Sequence, residues 1–122
     1  MNQKSHEPAV YDQNLATQIA GGNPRIAAEL LILLLKDLPG QKEALQNAFA
    51  ARDWQTLRQL NHKLHGSARY CGTPALIDTT RDLANTLPAD AVPEVVARAC
   101  DAVLTEINRL LALNPALLYP SG

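Results

Sequence analysis

His62 and His65 lie one helical turn apart in the segment LNHKLHGSARYCG. When this segment is read as a helix, at about 100° per residue, its apolar residues share one side and His62 points away from them. The apolar side consists of Leu57, Leu60, Leu64, Ala68 and Cys71. An exposed imidazole is largely neutral near pH 7, and one ring nitrogen then carries a free lone pair. The position of His62 therefore suits a nucleophile that accepts a phosphoryl group.

Basic and neutral polar side chains surround His62, and the same strip of the helix carries no carboxylate. The neighbours are Arg58, Gln59, Lys63, His65 and Arg69. Such a surface suits an anionic partner. Arg69, Lys63 or His65 could each offset the charge of a phosphorylated histidine, and the sequence does not decide between them. A solvated polar face is the ordinary alternative for Arg58 and Arg69.

Gly66 lies four residues after His62, inside the same helical pattern. A glycine there costs about 1 kcal/mol relative to alanine. Residues i and i+4 are neighbours on a helix surface, so a missing side chain leaves room beside the imidazole for a partner. Close packing of two helices is the alternative reason for a glycine at this position.

Capping residues divide the first half of the chain into helical segments. Residues 21–22, both glycine, end a short first helix, and Asn23-Pro24 suits the start of the next. Pro39-Gly40 predicts a break before a separate helix over residues 41–51. The second segment is expected to turn inward Ile26, Leu30, Leu33 and Leu34.

The second half shows the same punctuation. Asp53 suits the N-cap of the histidine-bearing helix, and Gly72 suits its C-terminal stop. Thr73-Pro74 begins another helix, residues 87–90 form a loop, and Asn114-Pro115 ends the last helix. The last helix is expected to bury Val95, Val96, Ala99, Val103, Leu104, Ile107, Leu110 and Leu111.

Short loops between amphipathic helices predict an all-α fold, an antiparallel up-down four-helix bundle with a short additional N-terminal helix. Residues 11–115 would form this domain, between a flexible N-terminal tail (1–10) and a C-terminal tail (116–122). Of the 122 residues 47% are hydrophobic, which is enough for one core.

Charge and composition exclude several classes of function. The formal net charge of -1 gives no field that would draw the chain to nucleic acid or to a membrane surface. The longest apolar run, residues 30–35, is too short to span a membrane. Cys71 and Cys100 are too few for a disulfide scaffold and are expected to pack in the core. We expect a cytoplasmic monomer without a bound metal.

His62, Gly66, Ser67 and Gly72 match the core pattern of the histidine-containing phosphotransfer (HPt) domains, His-x-x-Lys-Gly-Ser with a second glycine a few residues later. The segment looks most like the C-terminal HPt domain of BarA/GacS-type hybrid sensor kinases, and the resemblance covers residues 11–113. It implies a four-helix bundle whose histidine, here His62, exchanges phosphoryl groups with receiver-domain aspartates. Many members carry lysine where this chain has His65.

The resemblance also implies partners and a location. The partners would be the receiver domains of a hybrid sensor kinase and of a response regulator, and Mg²⁺ would be held by the receiver, with no cofactor on this chain. The domain would be cytoplasmic, alone or as the C-terminal domain of an inner-membrane sensor kinase. A GxxxxGK[ST] motif is missing, so a relay fits better than an ATP-dependent kinase. Candidate docking residues are Leu15, Ile19, Ile26, Arg58 and Gln59.

Two other classes of function stay open at this level. One is a metal site formed by His62, His65 and Cys71, although an i, i+3 pair without a second pair is a weak signal. The other is a helical adaptor or dimerisation module without phosphoryl chemistry.

Overall fold

A computed structural model describes residues 7–88 and 90–120, and these residues form six helices and no strand. The helices are α1 (Gln13–Ile19), α2 (Pro24–Ala50), α3 (Trp54–Arg69), α4 (Pro74–Asn85), α5 (Pro93–Leu111) and α6 (Pro115–Leu118). Helices α2 to α5 each pack against the next, and α5 packs back against α2. The predicted all-α four-helix bundle with a short N-terminal helix is therefore confirmed.

Helix α2 runs without interruption through Pro39, so the predicted break at Pro39-Gly40 is wrong. A proline inside a helix costs about 3 kcal/mol because it removes a hydrogen bond and crowds the preceding turn. Here Leu38 and Leu45 are fully buried on either side of Pro39, whose own ring is exposed. Burial of each leucine contributes about 2 kcal/mol, so the core holds the helix together across the proline.

The core lies between the four long helices, but three residues predicted to face it do not. Ile26, Leu33 and Val95 are 42%, 60% and 48% exposed. Leu31, which was not predicted to face the core, is fully buried, and Val96 is fully buried as predicted. Residues 30–35 are all apolar, so the pattern itself could not show which of them turn inward. Within the described residues no helix is long and apolar enough to cross a membrane.

The ends of α3 follow the predicted capping. The carboxylate of Asp53 accepts a hydrogen bond from the backbone N–H of Thr56 at 3.1 Å, and hydrogen bonds from Thr56 lower the pKa of Asp53. Gly72 has a φ of +67° and its carbonyl accepts a hydrogen bond from the Asp12 N–H at 2.8 Å. Thr73 precedes α4 as predicted, but its hydroxyl donates to Ala68 O at 2.9 Å and does not cap α4.

Parts of both predicted tails contact the bundle. Ala9 O accepts a hydrogen bond from the Ala75 N–H at 3.0 Å. At the other end, Gln13 Nε2 donates to Leu118 O at 2.8 Å, and the hydroxyls of Tyr11 and Tyr119 are hydrogen-bonded to each other. The expected tails therefore include residues that belong to the folded unit. Residues 1–6 and 121–122, which complete those tails, lie outside the described residues.

We predict opposite effects of alanine at two glycines. In Gly72→Ala the new Cβ would lie 2.7 Å from the Ala16 Cβ, at a positive φ that L-residues rarely adopt, so the free energy of unfolding should fall by more than about 1 kcal/mol. In Gly40→Ala the Cβ meets nothing within 4 Å, and the stability should rise by about 1 kcal/mol. Urea denaturation of both variants measures these changes. Equal free energies of unfolding for Gly72→Ala and Gly40→Ala would contradict the positive-φ turn at Gly72.

Candidate functional site

The outward face of α3 is fixed by the burial of its inward face. Leu57, Leu64 and Ala68 are 0% exposed, and His62 lies exposed on the opposite side, as predicted. His62 borders a shallow groove between α3 and α4, here called the α3–α4 groove. This groove includes Arg58, His62, His65, Thr80, Arg81 and Asn85. An imidazole at the rim of this groove is accessible to solvent and to a docked protein.

Gly66 is not explained by close packing of helices. A Cβ built on Gly66 would meet no atom within 4 Å, so the space beside it is open. The alternative of a tight helix contact is therefore wrong. The absent side chain leaves the surface one turn after His62 unobstructed.

Ser67 lies on the other side of Gly66, in a second groove between α2 and α3. This α2–α3 groove includes Leu30, Leu33, Leu34, Asp37, Ser67 and Tyr70. Leu33 and Tyr70 are 60% and 66% exposed, so this groove presents apolar surface to solvent close to the polar site. The sequence analysis assigned Leu33 to the core and did not consider Tyr70.

His65 turns toward α4, where its Nδ1 lies 2.8 Å from the Thr80 hydroxyl oxygen. Burial lowers the pKa of His65, and the positive charges of Arg81 and Arg69 and the nearby His62 lower it further. A hydrogen bond to the Ile77 backbone acts in the opposite direction. Because its pKa is low, His65 is neutral near pH 7 and does not supply the fixed charge of a lysine.

The other charged and polar residues predicted around His62, two for support and two for docking, lie at different places on the site. Arg58 lies in the α3–α4 groove, and Arg69 is close enough to influence the charge of His65. Lys63 and Gln59 are exposed neighbours of His62 on α3. Support of a phosphoryl group by Lys63 and Arg69, and docking of a partner by Arg58 and Gln59, stay predictions.

Three residues of the site escaped the sequence analysis. Asn61 is 2% exposed and donates from Nδ2 to Thr80 O at 2.8 Å. Thr80 is fully buried, and Arg81 lies in the α3–α4 groove in an exposed ion pair with Asp78 at 3.3 Å. A polar Asn61 on the inward side of α3 was the one signal available, since the two α4 residues depend on how α4 packs.

Residues 29–113 match the family model described as the Hpt domain. The matched range includes α3 with His62 and nearly all of the four-helix bundle. The chain belongs to the Hpt domain family. The resemblance read from His62, Gly66, Ser67 and Gly72 is thereby confirmed at the level of the family.

Relatives of this Hpt domain include two kinds of sensor kinase. The chain is 41% identical over 70 residues to the sensor histidine kinase GacS of Pseudomonas protegens, covering 57% of this chain and 8% of the kinase. It is 34% identical over 68 residues to the signal transduction histidine-protein kinase BarA of Escherichia coli K12, covering 56% of this chain and 7% of that protein. The chain thus spans less than a tenth of the length of these relatives.

A solved structure shows the same fold. It is the HPT domain of a sensor hybrid histidine kinase from Shewanella, with a TM-score of 0.78 and 26% sequence identity. The match covers 84% of this chain and 88% of that one. The bundle of this Hpt domain is therefore the fold of its family.

The predicted docking residues of the Hpt domain fall into two groups. Arg58 and Gln59 lie close to His62 on α3. Leu15 is half-buried, and Ile19 and Ile26 are 38% and 42% exposed, at the end of the bundle that α1 covers. The three apolar residues are not part of either groove beside α3.

The arrangement does not support a metal site formed by His62, His65 and Cys71. Cys71 is buried, its thiol donates to Leu30 O at 3.7 Å, and burial raises its pKa to about 11. A thiol in that state is a poor metal ligand. Among the described residues no group of three or more His, Cys, Asp or Glu could hold a metal ion. The absence of a resident metal stays a prediction.

Proposed function

We propose that His62 carries a phosphoryl group between receiver-domain aspartates in a multistep phosphorelay. The observation that carries this proposal is the exposed imidazole of His62 beside Gly66, where a side chain would meet only open space. Membership of the Hpt domain family supports it, as does the similarity to regions of the GacS and BarA kinases.

The transfer begins with the lone pair on an imidazole nitrogen of His62, which attacks the phosphorus of a receiver's aspartyl phosphate. An N–P bond forms as the bond from phosphorus to the aspartate oxygen breaks, and that electron pair stays on the carboxylate. The other imidazole nitrogen keeps its proton until water takes it. The same steps in reverse pass the group to a second receiver. Positioning and charge stabilisation supply most of the rate enhancement in such a transfer.

Charge around His62 favours the phosphorylated state without a metal on this chain. Arg58 and Arg81 line the α3–α4 groove, and Lys63 and Arg69 lie on the same outward side of α3. Guanidinium groups bind phosphoryl oxygens through charge-assisted hydrogen bonds. Mg²⁺, the usual companion of phosphoryl groups, would be held by the carboxylates of the receiver.

The receiver docks, in this proposal, on the α2–α3 groove and over Gly66. Tyr70 follows His62 by eight residues, about 12 Å along the helix axis. A standard interface buries about 800 Å² on each partner, so a protein placed over His62 also covers Leu33 and Tyr70. Their exposed apolar surface would then be buried. Leu30 contacts Cys71, just beyond the end of α3, and Ile26 lies one turn farther from His62 on α2, so Ile26 would be at the rim of such an interface.

The first test is to mix the protein with a radiolabelled phospho-receiver domain and follow the label. Wild type should gain acid-labile, base-stable label, and His62→Gln should gain none, because it lacks the attacking nitrogen. His65→Gln keeps the attacking nitrogen of His62 and should still be labelled. Full labelling of His62→Gln would exclude the site, and a His62→Ala variant that keeps every activity would favour the adaptor alternative.

The second test places a side chain over the open surface at Gly66. Gly66→Leu should fold, because its Cβ meets nothing within 4 Å, but should slow phosphoryl transfer from a receiver by about tenfold or more through obstruction. Thr105→Leu adds a similar side chain on the exposed surface of α5 and should leave the rate unchanged. Transfer reactions quenched at successive times give the rates of both variants. Equal rates would show that the receiver does not approach His62 over Gly66.

The third test concerns the docking surface. Leu33→Ala should weaken receiver binding by about 1 kcal/mol, a several-fold rise in KM for the phospho-receiver with kcat little changed. Leu117→Ala serves as the control, because it removes another exposed leucine, one on α6 whose exposed fraction is 80% against 60% for Leu33. Titration calorimetry or transfer kinetics gives the comparison. A larger effect at Ile26→Ala than at Leu33→Ala would move the interface to the α1 end.

A further inference from the structure

Thr80 of α4 binds both residues that flank His62 on α3. Its carbonyl oxygen accepts a hydrogen bond from Asn61 Nδ2 at 2.8 Å, and its hydroxyl lies 2.8 Å from Nδ1 of His65. Asn61 precedes His62, and His65 follows it by one turn. One fully buried residue therefore connects α4 to the helix surface on either side of the proposed phosphoryl acceptor.

The hydrogen bonds of the Thr80 hydroxyl determine which nitrogen of His65 is protonated. The Thr80 oxygen lies 2.8 Å from Leu76 O and 2.9 Å from Ile77 O, and both carbonyls can only accept. The single hydroxyl hydrogen is therefore donated to the α4 backbone, and only lone pairs face His65. Nδ1 of His65 must then carry the hydrogen and donate. In the neutral ring this leaves Nε2 with a free lone pair.

The charges facing His65 change when His62 is phosphorylated. On α3 the facing groups are His62 and Arg69, with Arg58 in the same groove, and on α4 Arg81, which is paired with Asp78. On α2, Asp37 lies in the α2–α3 groove, on the other side of α3. In the free protein the cations and burial together lower the pKa of His65. A phosphoryl group adds about two negative charges one helical turn away and reverses the local balance.

On the basis of the proposed function of His62, we propose that Thr80 is a positioning residue for phosphoryl transfer. Its hydroxyl holds His65 as the Nδ1–H tautomer, so that Nε2 takes a proton from water when His62 is phosphorylated and donates a hydrogen bond to the phosphoryl group. An N–H bond forms as an O–H bond of the solvent breaks, the electron pair of that bond stays on the oxygen and leaves with the solvent, and the ring becomes a cation. His65 thus supplies a charge in the phosphorylated state alone.

Nitrogen-15 NMR of the whole labelled protein tests the proposal without any substitution. Before phosphorylation the His65 signals should show the Nδ1–H tautomer. After phosphorylation of His62 by a phospho-receiver, the proton affinity of His65 should rise about tenfold or more, the size expected for an opposite charge at this range. A labelled His62 with an unchanged His65 titration would overturn the inference and leave the proposed function intact. Failure to label wild type would overturn the function itself.

A matched pair of variants tests the hydroxyl. Thr80→Val keeps the shape and the carbonyl that binds Asn61 but removes the hydroxyl, and Thr80→Ser restores it. In Thr80→Val the His65 tautomer should become mixed, and the phosphohistidine lifetime near pH 7 should shorten about tenfold or more, the value of one charge-assisted hydrogen bond. Thr80→Ser should restore both.

The pH profile separates positioning from a general structural effect. In wild type, hydrolysis of the phosphohistidine should be slower at a pH where His65 is protonated and faster where it is neutral. In Thr80→Val this difference should be smaller. A retained tautomer and an unchanged profile in folded Thr80→Val would contradict the proposal. If Thr80→Val does not fold, the comparison of free and phosphorylated wild type still decides the question.

Discussion

The rotation of α3 about its axis is the constraint on which the site depends. Leu57, Leu64 and Ala68 are 0% exposed, and each leucine contributes about 2 kcal/mol to the bundle through burial. Turning the helix to hide His62 would expose these side chains. The imidazole is therefore kept in solvent by residues that never touch it. The same rotation directs Gly66 to the open surface. One orientation of α3 therefore both exposes the imidazole of His62 and keeps the surface beside it unobstructed.

Burial fixes the orientation of α3 approximately, and polar contacts with α4 fix it more closely. Apolar packing tolerates small changes in helix rotation, but a hydrogen bond such as that from Asn61 to Thr80 O requires its atoms within a few tenths of an ångström. The buried amide is not fully satisfied, since Asn61 Oδ1 has no hydrogen-bond partner among the described residues. A leucine there would avoid that cost of about 1–3 kcal/mol. The asparagine is intelligible as a residue that fixes the position of α3 against α4.

The parts of the structure that the sequence predicts are those governed by local rules. Asp53 and Gly72 mark the ends of α3 through capping and a positive φ, and the spacing of its leucines sets the exposed face. The continuity of α2 through Pro39 could not be read locally, because it results from burial of Leu38 and Leu45 in the assembled core. In an unbroken apolar run, periodicity likewise carries no information about which side is buried.

The same distinction applies to the candidate site. His62 and Gly66 could be placed from one helix, because both lie on its surface and their separation is a helical repeat. Thr80 and Arg81 belong to α4, and only the packing of α4 on α3 brings them to the groove. Their residue types carry no signal of their own. A threonine in a helix is ordinary, and its hydroxyl usually bonds to the preceding turn, as this one does.

The replacement of a lysine by His65 has a thermodynamic consequence for a relay. A carrier must accept a phosphoryl group from one aspartate and release it to another, so its phosphorylated state cannot be much more stable than either neighbour. A permanent cation beside His62 would stabilise that state at every pH, and each 1.4 kcal/mol of excess would shift the transfer equilibrium about tenfold toward the carrier. In the proposed relay, burial and the neighbouring positive charges that lower the pKa of His65 would make its cation conditional on the phosphoryl group, and part of the stabilisation would go into protonating the ring. The histidine would then moderate the stability of the carrier where a lysine would add to it.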